Sequence, residues 1–200
     1  MTNPHDGLLT AAGALAGSTP VCSLGREATA KTSIMLTTST YGLQLEATFK
    51  QILHSAGIRQ AESDFNAQSL LLDAQRINAQ RFASCSKHFN PSKATAKQLL
   101  DWVYGIDHLI DVNGTDQIYA AIDLTANKSA VPQKMSKALG HRPMWSALGV
   151  TQFFVVHVDG DPADLTKAGV AAVIEQLWTE MEAAFNGPTG RVHVIRLSFS

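Results

Sequence analysis

Asp107 and Asp123 lie inside two apolar runs that flank the turn cluster Val112-Asn113-Gly114-Thr115-Asp116, and Glu46 lies beside the apolar stripe of a segment with helical spacing. A carboxylate in a strand that is otherwise buried is costly unless it is paired, hydrogen-bonded or ligating a cation. Those three outcomes define the chemistry these residues can do. Asp111 shares the two-residue period of Asp107 and competes with it for the strand position. Glu46 has a plainer alternative, as a solvated carboxylate in the first turn of its helix, where the helix dipole favours it. Asp123 alone is as consistent with a structural role as with a functional one.

The elements that must carry these acids follow from local pattern. Residues 104–128 read as a β-hairpin, because an Asn-Gly step between apolar runs tolerates the positive φ angles of a tight turn. Residues 41–56 read as an amphipathic helix, with Leu43, Leu45, Phe49, Ile52 and Leu53 at helical spacing and Gly57 as its stop. Residues 61–87 read as a second, longer helix, and 92–100 as a short one capped by Ser92. After the hairpin, 131–148 reads as a helix that Pro143 kinks or ends. TQFFVVHV (151–158) reads as a strand buried on both faces. A further helix runs from Pro162 and Asp164 to Phe185, and RVHVIRLSF (191–199) alternates as a last strand with one solvated face. The order predicts an α/β fold with a mixed central β-sheet flanked by helices.

Composition bounds the rest. With 200 residues, 45% of them hydrophobic, the chain can form one sizeable core, and a net charge of −1 advertises neither a nucleic-acid nor a membrane partner globally. No run approaches the roughly 20 apolar residues of a membrane-spanning helix. Residues 1–40, rich in Thr, Ser, Ala and Gly, read as a poorly ordered leader, and 41–200 as a single domain with a helical insertion at 58–101. No Lys or Arg precedes the small apolar stretch at 7–17, so the charge of a signal peptide is missing. Cys22 and Cys85 have neither disulfide nor metal spacing, and a cytoplasmic location is the default. The histidines lack paired zinc spacing, and no nucleophile elbow, dinucleotide loop or P-loop occurs.

An acid-bearing helix, an acid-bearing hairpin, a crossover helix and a buried strand, in that order, resemble the core of the PD-(D/E)XK nuclease superfamily, its Holliday-resolvase and Mrr-like members in particular. The motifs are Gly42-x-x-x-Glu46, Gly105-Ile106-Asp107 and Ala121-Ile122-Asp123-Leu124-Thr125. The resemblance implies a restriction endonuclease-like core that hydrolyses DNA phosphodiesters with Mg²⁺ or Mn²⁺. It implies Asp107, Asp123 and the Leu124 carbonyl as metal ligands, with Glu46 completing or orienting the site. Thr125 stands where that family has lysine, so the lysine must come from elsewhere: Lys134 on the following helix, or Lys128 just past the strand. Residues 124–158 contain no Asp or Glu, and Lys128, Lys134, Lys137 and Arg142 there are expected to face nucleic acid. Cutting both strands of a duplex favours a homodimer. The alternatives are a catalytically inactive protein of the same fold that binds nucleic acid or joins a complex, and an assembly module built on the helices at 61–87 and 165–185.

Overall fold

The computed structural model describes residues 24–87, 90–112 and 118–199. The chain divides into two compact units, Met1–Thr37 and Thr38–Ser200. In the first, the backbone is helical from Leu24, and the leader expected at 1–40 otherwise falls on residues outside the described ones. The second unit carries everything discussed below.

Helix α1 (Leu24–Ser55) ends where the sequence places its stop: Ile58 N donates to Leu53 O at 2.9 Å and Gly57 N to His54 O at 3.0 Å. This is a Schellman closure, and Leu53 and Ile58 are both buried in the same core. The segment from 61 to 87 is not one helix. Asn66 caps α2 (Ala67–Ile77), accepting from Gln68 N and Ser69 N, and Asn78 both ends α2 and caps α3 (Ala79–Cys85) by accepting from Arg81 N. An Asn side chain that bonds its own following backbone competes with helix continuation, and Asn78 is such a break. The next helix, α4 (Ala96–Leu99), starts at a capping box made by Thr95 and Gln98 rather than at Ser92, which lies in a separate 3₁₀ turn, Pro91–Lys93. α4 continues into a π-helical turn, Leu100–Tyr104, stopped by Gly105 in the left-handed region (φ 74°).

The sheet has four strands in the order β1-β2-β3-β4: β1 (His108–Asp111), β2 (Tyr119–Thr125), β3 (Val150–Asp159) and β4 (Arg191–Ser198). β1 and β2 are antiparallel, as the hairpin reading expects, although its turn residues 113–117 lie outside the described residues. β2, β3 and β4 are mutually parallel. The mixed sheet flanked by helices is therefore present. Helix 131–148 divides into α5 (Val131–Gly140) and α6 (Arg142–Ala147) at His141, with Pro143 tolerated in the first turn of α6. Thr166 caps α7 (Lys167–Phe185).

Apolar side chains of alternate strand residues enter two cores. Tyr119, Ala121, Phe153 and Val155 pack with the helices α2 to α6, while Ala120, Ile122, Leu124, Phe154 and Val156 pack with α1 and α7. β2 is buried throughout and β3 nearly so, whereas β4 is half-buried over residues 192–194 and alternates between buried and exposed over its last four residues. The outer side of β1 is covered: Ala61 N donates to Leu109 O, Asp111 N donates to Arg59 O, and Gln60 bridges to Ile110.

Two glycines test the turns. Gly160 (φ 100°) closes β3 against the end of β4, where an added Cβ would collide with the Phe199 carbonyl oxygen. At Gly105 an added Cβ would crowd the end of the Lys137 side chain, 2.8 Å from its Cε, and make ordinary contact with His141 Nδ1 at 3.6 Å. A flexible side chain can yield and a paired backbone cannot. Gly160→Ala is expected to cost more than about 2 kcal/mol and Gly105→Ala about 1 kcal/mol, read from urea unfolding midpoints.

Candidate functional site

The carboxyl end of β2 brings together residues from three directions. β2 places Asp123, 2% exposed, on the face that α5 covers, and Lys134 on the first turns of α5 reaches back to it. The Lys134 ammonium donates to Asp123 Oδ1 and, at 2.6 Å, to the Leu124 carbonyl oxygen. Asp107 enters from the segment between Gly105 and β1, where its Oδ2 accepts the Leu124 N–H at 2.6 Å. The two acids and the lysine are thus tied together through the backbone of a single residue, Leu124. Asp123 Oδ2 is buried and has no hydrogen-bond partner among the described residues.

Glu46 comes to the same place from α1. It lines, with Gly42, Asp107, Leu124 and Thr125, a cleft of about 230 Å³. Burial raises its pKa first, and Asp101 raises it further, while Lys97 and Lys134 oppose the shift. Asp107 is pushed up to about 7, by burial and then by the neighbouring Asp123 charge, against the pull of Lys134 and the Leu124 N–H. Among the described residues, no three acidic, His or Cys side chains approach closely enough to hold a metal ion as a group.

Asp101 is an acid that sequence reasoning missed. It sits on the π-helical turn before Gly105, its pKa is raised by burial, and Lys137, Lys97, Asp123 and Lys134 all act on it electrostatically. Its own helix has no pattern that would single it out. The left-handed Gly105 lets Lys137 cross over the backbone there, and His141 Nδ1 meets the Tyr104 carbonyl at 3.2 Å. α5 is thereby fastened to the approach of β1.

The other expected residues separate. Lys128 is exposed in the 3₁₀ turn before α5. Lys137 lies over Gly105, and the Arg142 guanidinium lies against Gly190, at the amino-terminal end of β4. Lys128, Lys134, Lys137 and Arg142 therefore do not form one stripe. Asp111 stands at the far end of the hairpin, where Arg59 bridges it and Asp64 at 2.5 and 2.6 Å beside a separate cavity of about 570 Å³.

His108, next to Asp107, is 1% exposed, and neither ring nitrogen has a hydrogen-bond partner among the described residues. Its Nδ1 is 3.9 Å from Glu62 Oε1, too far for a hydrogen bond, and its ring lies 5.6 Å from that of Phe49. Burial drives its pKa down to about 3, and Lys97 and Lys50 add to the effect. Comparison of the chain with protein-family models, with curated proteins and with solved structures finds no match.

Two neighbouring groups therefore act on stability with opposite sign. The folded protein holds the Asp107 proton more tightly than the unfolded chain, so this carboxyl lowers stability as pH rises from about 3.8 to about 7. His108 is held neutral, so it lowers stability as pH falls from 6.5 toward about 3. Asp107→Asn keeps an acceptor for Leu124 N–H and removes the charge. It is expected to raise stability at pH 8 by a few kcal/mol at most, since each tenfold difference in proton affinity is worth about 1.4 kcal/mol, and to change little at pH 4. His108→Leu is expected to do the reverse, stabilising at pH 4 and changing little at pH 8. Urea unfolding of the three proteins across pH 4 to 8 measures both.

Proposed function

We propose that the protein is a divalent-cation-dependent endonuclease with a restriction endonuclease-like core, acting on DNA. The observation that carries this reading is the convergence of Asp123 Oδ1 and the Leu124 carbonyl oxygen on one cationic nitrogen, with Asp107 bonded to the same residue's N–H. A carboxylate and a carbonyl aimed at one point are the oxygen donors that a hard cation takes, and the unpartnered Asp123 Oδ2 is a further one. The donor set fits Mg²⁺ or Mn²⁺, with Asp107, Asp123 and Leu124 as its ligands. Such a cation would polarise the scissile phosphate and lower the pKa of a bound water.

The protein's own residues supply the remaining chemistry. Lys134 brings a positive charge to the place where negative charge develops on the phosphate, which is the role left open by Thr125. Glu46, with a pKa raised by burial, is suited to take a proton from the attacking water across the cleft it shares with Asp107. Asp107 must give up the proton that burial favours before it can bind a cation, so activity is expected to rise with pH through about 7. DNA is the proposed partner, and a homodimer is the assembly that would cut both of its strands.

One observation favours a second reading, an inactive protein of the same fold that binds nucleic acid. Lys134 already satisfies both Asp123 Oδ1 and Leu124 O, so the ammonium stands in for the cation it would assist. Incubation of plasmid DNA with Mg²⁺, with and without chelator, separates the two. Cleavage that chelator stops, that Asp123→Asn abolishes and that Lys134→Met lowers by about 100-fold or more supports the first. DNA binding with no cleavage at any pH from 6 to 9 supports the second. Cleavage that persists in Asp123→Asn removes the proposed site.

A further inference from the structure

The three parallel strands end in a row. Thr125 on β2 is in register with His157 on β3, and His157 with Arg196 on β4. Strands are spaced about 4.8 Å apart, which sets His157 about 5 Å and Arg196 about 10 Å from the end of β2, across the sheet from the carboxylates. A second cleft of about 230 Å³ opens over the ends of β3 and β4, lined by Lys128, His157, Arg196, Ser198 and Asp159. Open α/β sheets bind ligands beyond the carboxyl ends of their strands, and this cleft has that position.

Its charges are poised for an anion. Lys128 and Arg196 are exposed, and neither ammonium nor guanidinium is engaged by a carboxylate among the described residues. Gln176 of α7 donates to the Arg196 carbonyl at 2.7 Å, which fixes the strand end while leaving its side chain to the cleft. His157 is buried at the floor. The lining thus offers a planar fork of donors, a mobile point charge, an imidazole and a hydroxyl, a set that matches tetrahedral phosphate oxygens. Asp159 is the one carboxylate in the lining and opposes an anion.

We infer that this cleft is a phosphate subsite, in which Arg196, Lys128 and His157 hold a backbone phosphate of the nucleic acid that reaches the Asp107 and Asp123 carboxylates. The inference rests on the nuclease reading for the identity of the ligand and on the cleft alone for its phosphate chemistry. Lys134 faces Asp123 and Arg142 lies at the opposite end of the sheet, so the anion contacts expected of them pass to His157 and Arg196.

The test uses the full chain and two probes, with chelator present so that nothing is cleaved. Inorganic phosphate is titrated while the His157 ring resonances are followed by NMR, and a labelled 20-base-pair duplex is titrated by fluorescence anisotropy over a salt series. Arg196→Gln, an exposed change, is expected to weaken both probes about tenfold and to reduce the salt slope by about one. Lys128→Gln acts in the same direction. Asp159→Asn is expected to tighten both. Unchanged phosphate and duplex binding in Arg196→Gln overturns the subsite and leaves the nuclease reading standing. Phosphate binding that Arg196→Gln weakens, without any duplex binding by the wild-type protein, upholds the phosphate chemistry and overturns the nucleic-acid assignment.

Discussion

The Lys134 ammonium neutralises a buried carboxylate at the carboxyl end of β2, and much of the surrounding architecture exists to keep it there. Asp123 is 2% exposed, and without a cation beside it the strand would end in an uncompensated buried charge. Breaking such a pair costs several kcal/mol, while forming it returns little beyond what apolar packing would have supplied. The pair is therefore a requirement on the fold more than a source of stability. α5 must leave β2 by a short 3₁₀ turn to bring Lys134 back over the strand. Lys137 and His141, one and two turns farther along α5, then meet the backbone at Gly105 and Tyr104.

The same end of the sheet gathers acids from separate elements. Asp107, Asp101 and Glu46 all have pKa values raised first by burial, and the charges of Lys134 and Lys97 or Asp123 reach them together. Carboxylates placed so closely cannot all ionise without cost, and a region that accepts such cost is a candidate for function. At the other end of the hairpin, Asp111 is satisfied by Arg59 at 2.5 Å, as a structural acid would be. The contrast between the two ends separates the acids more clearly than their identical residue type could.

The sheet was legible where pattern is local. The burial of β2 and β3 on both faces follows from runs of β-branched and apolar residues, and the alternation expected of β4 appears only over its last four residues. Helix ends were legible less evenly. Gly57 and Gly105 act as stops, but Asn78 divides a segment whose apolar spacing continues unbroken, because its side chain bonds the following turn. The pairing of Lys134 with Asp123 could be anticipated because eleven residues separate them across one strand-to-helix turn. Arg59 with Asp111 could not, since they lie 52 positions apart and neither carries a motif. Asp101 was hidden for another reason: its nearness to the acids depends on a π-helical turn, which no spacing rule announces. Of the basic residues after β2, sequence nearness suggested one surface, and the fold sends Arg142 to the opposite end.

The two edges of the sheet differ in what they leave open. Residues 59–61 run along the outer side of β1 and occupy its backbone groups, whereas among the described residues β4 has no strand on the side away from β3. An eight-residue edge strand is a template for growth by strand addition, and here Gln176 of α7 engages one of its carbonyls, that of Arg196. β4 carries Arg191 and Arg196, both exposed, near its two ends, and like charges brought side by side by a second copy in register would repel. Arg196, exposed near the end of this edge, thus opposes strand addition by a second copy in register.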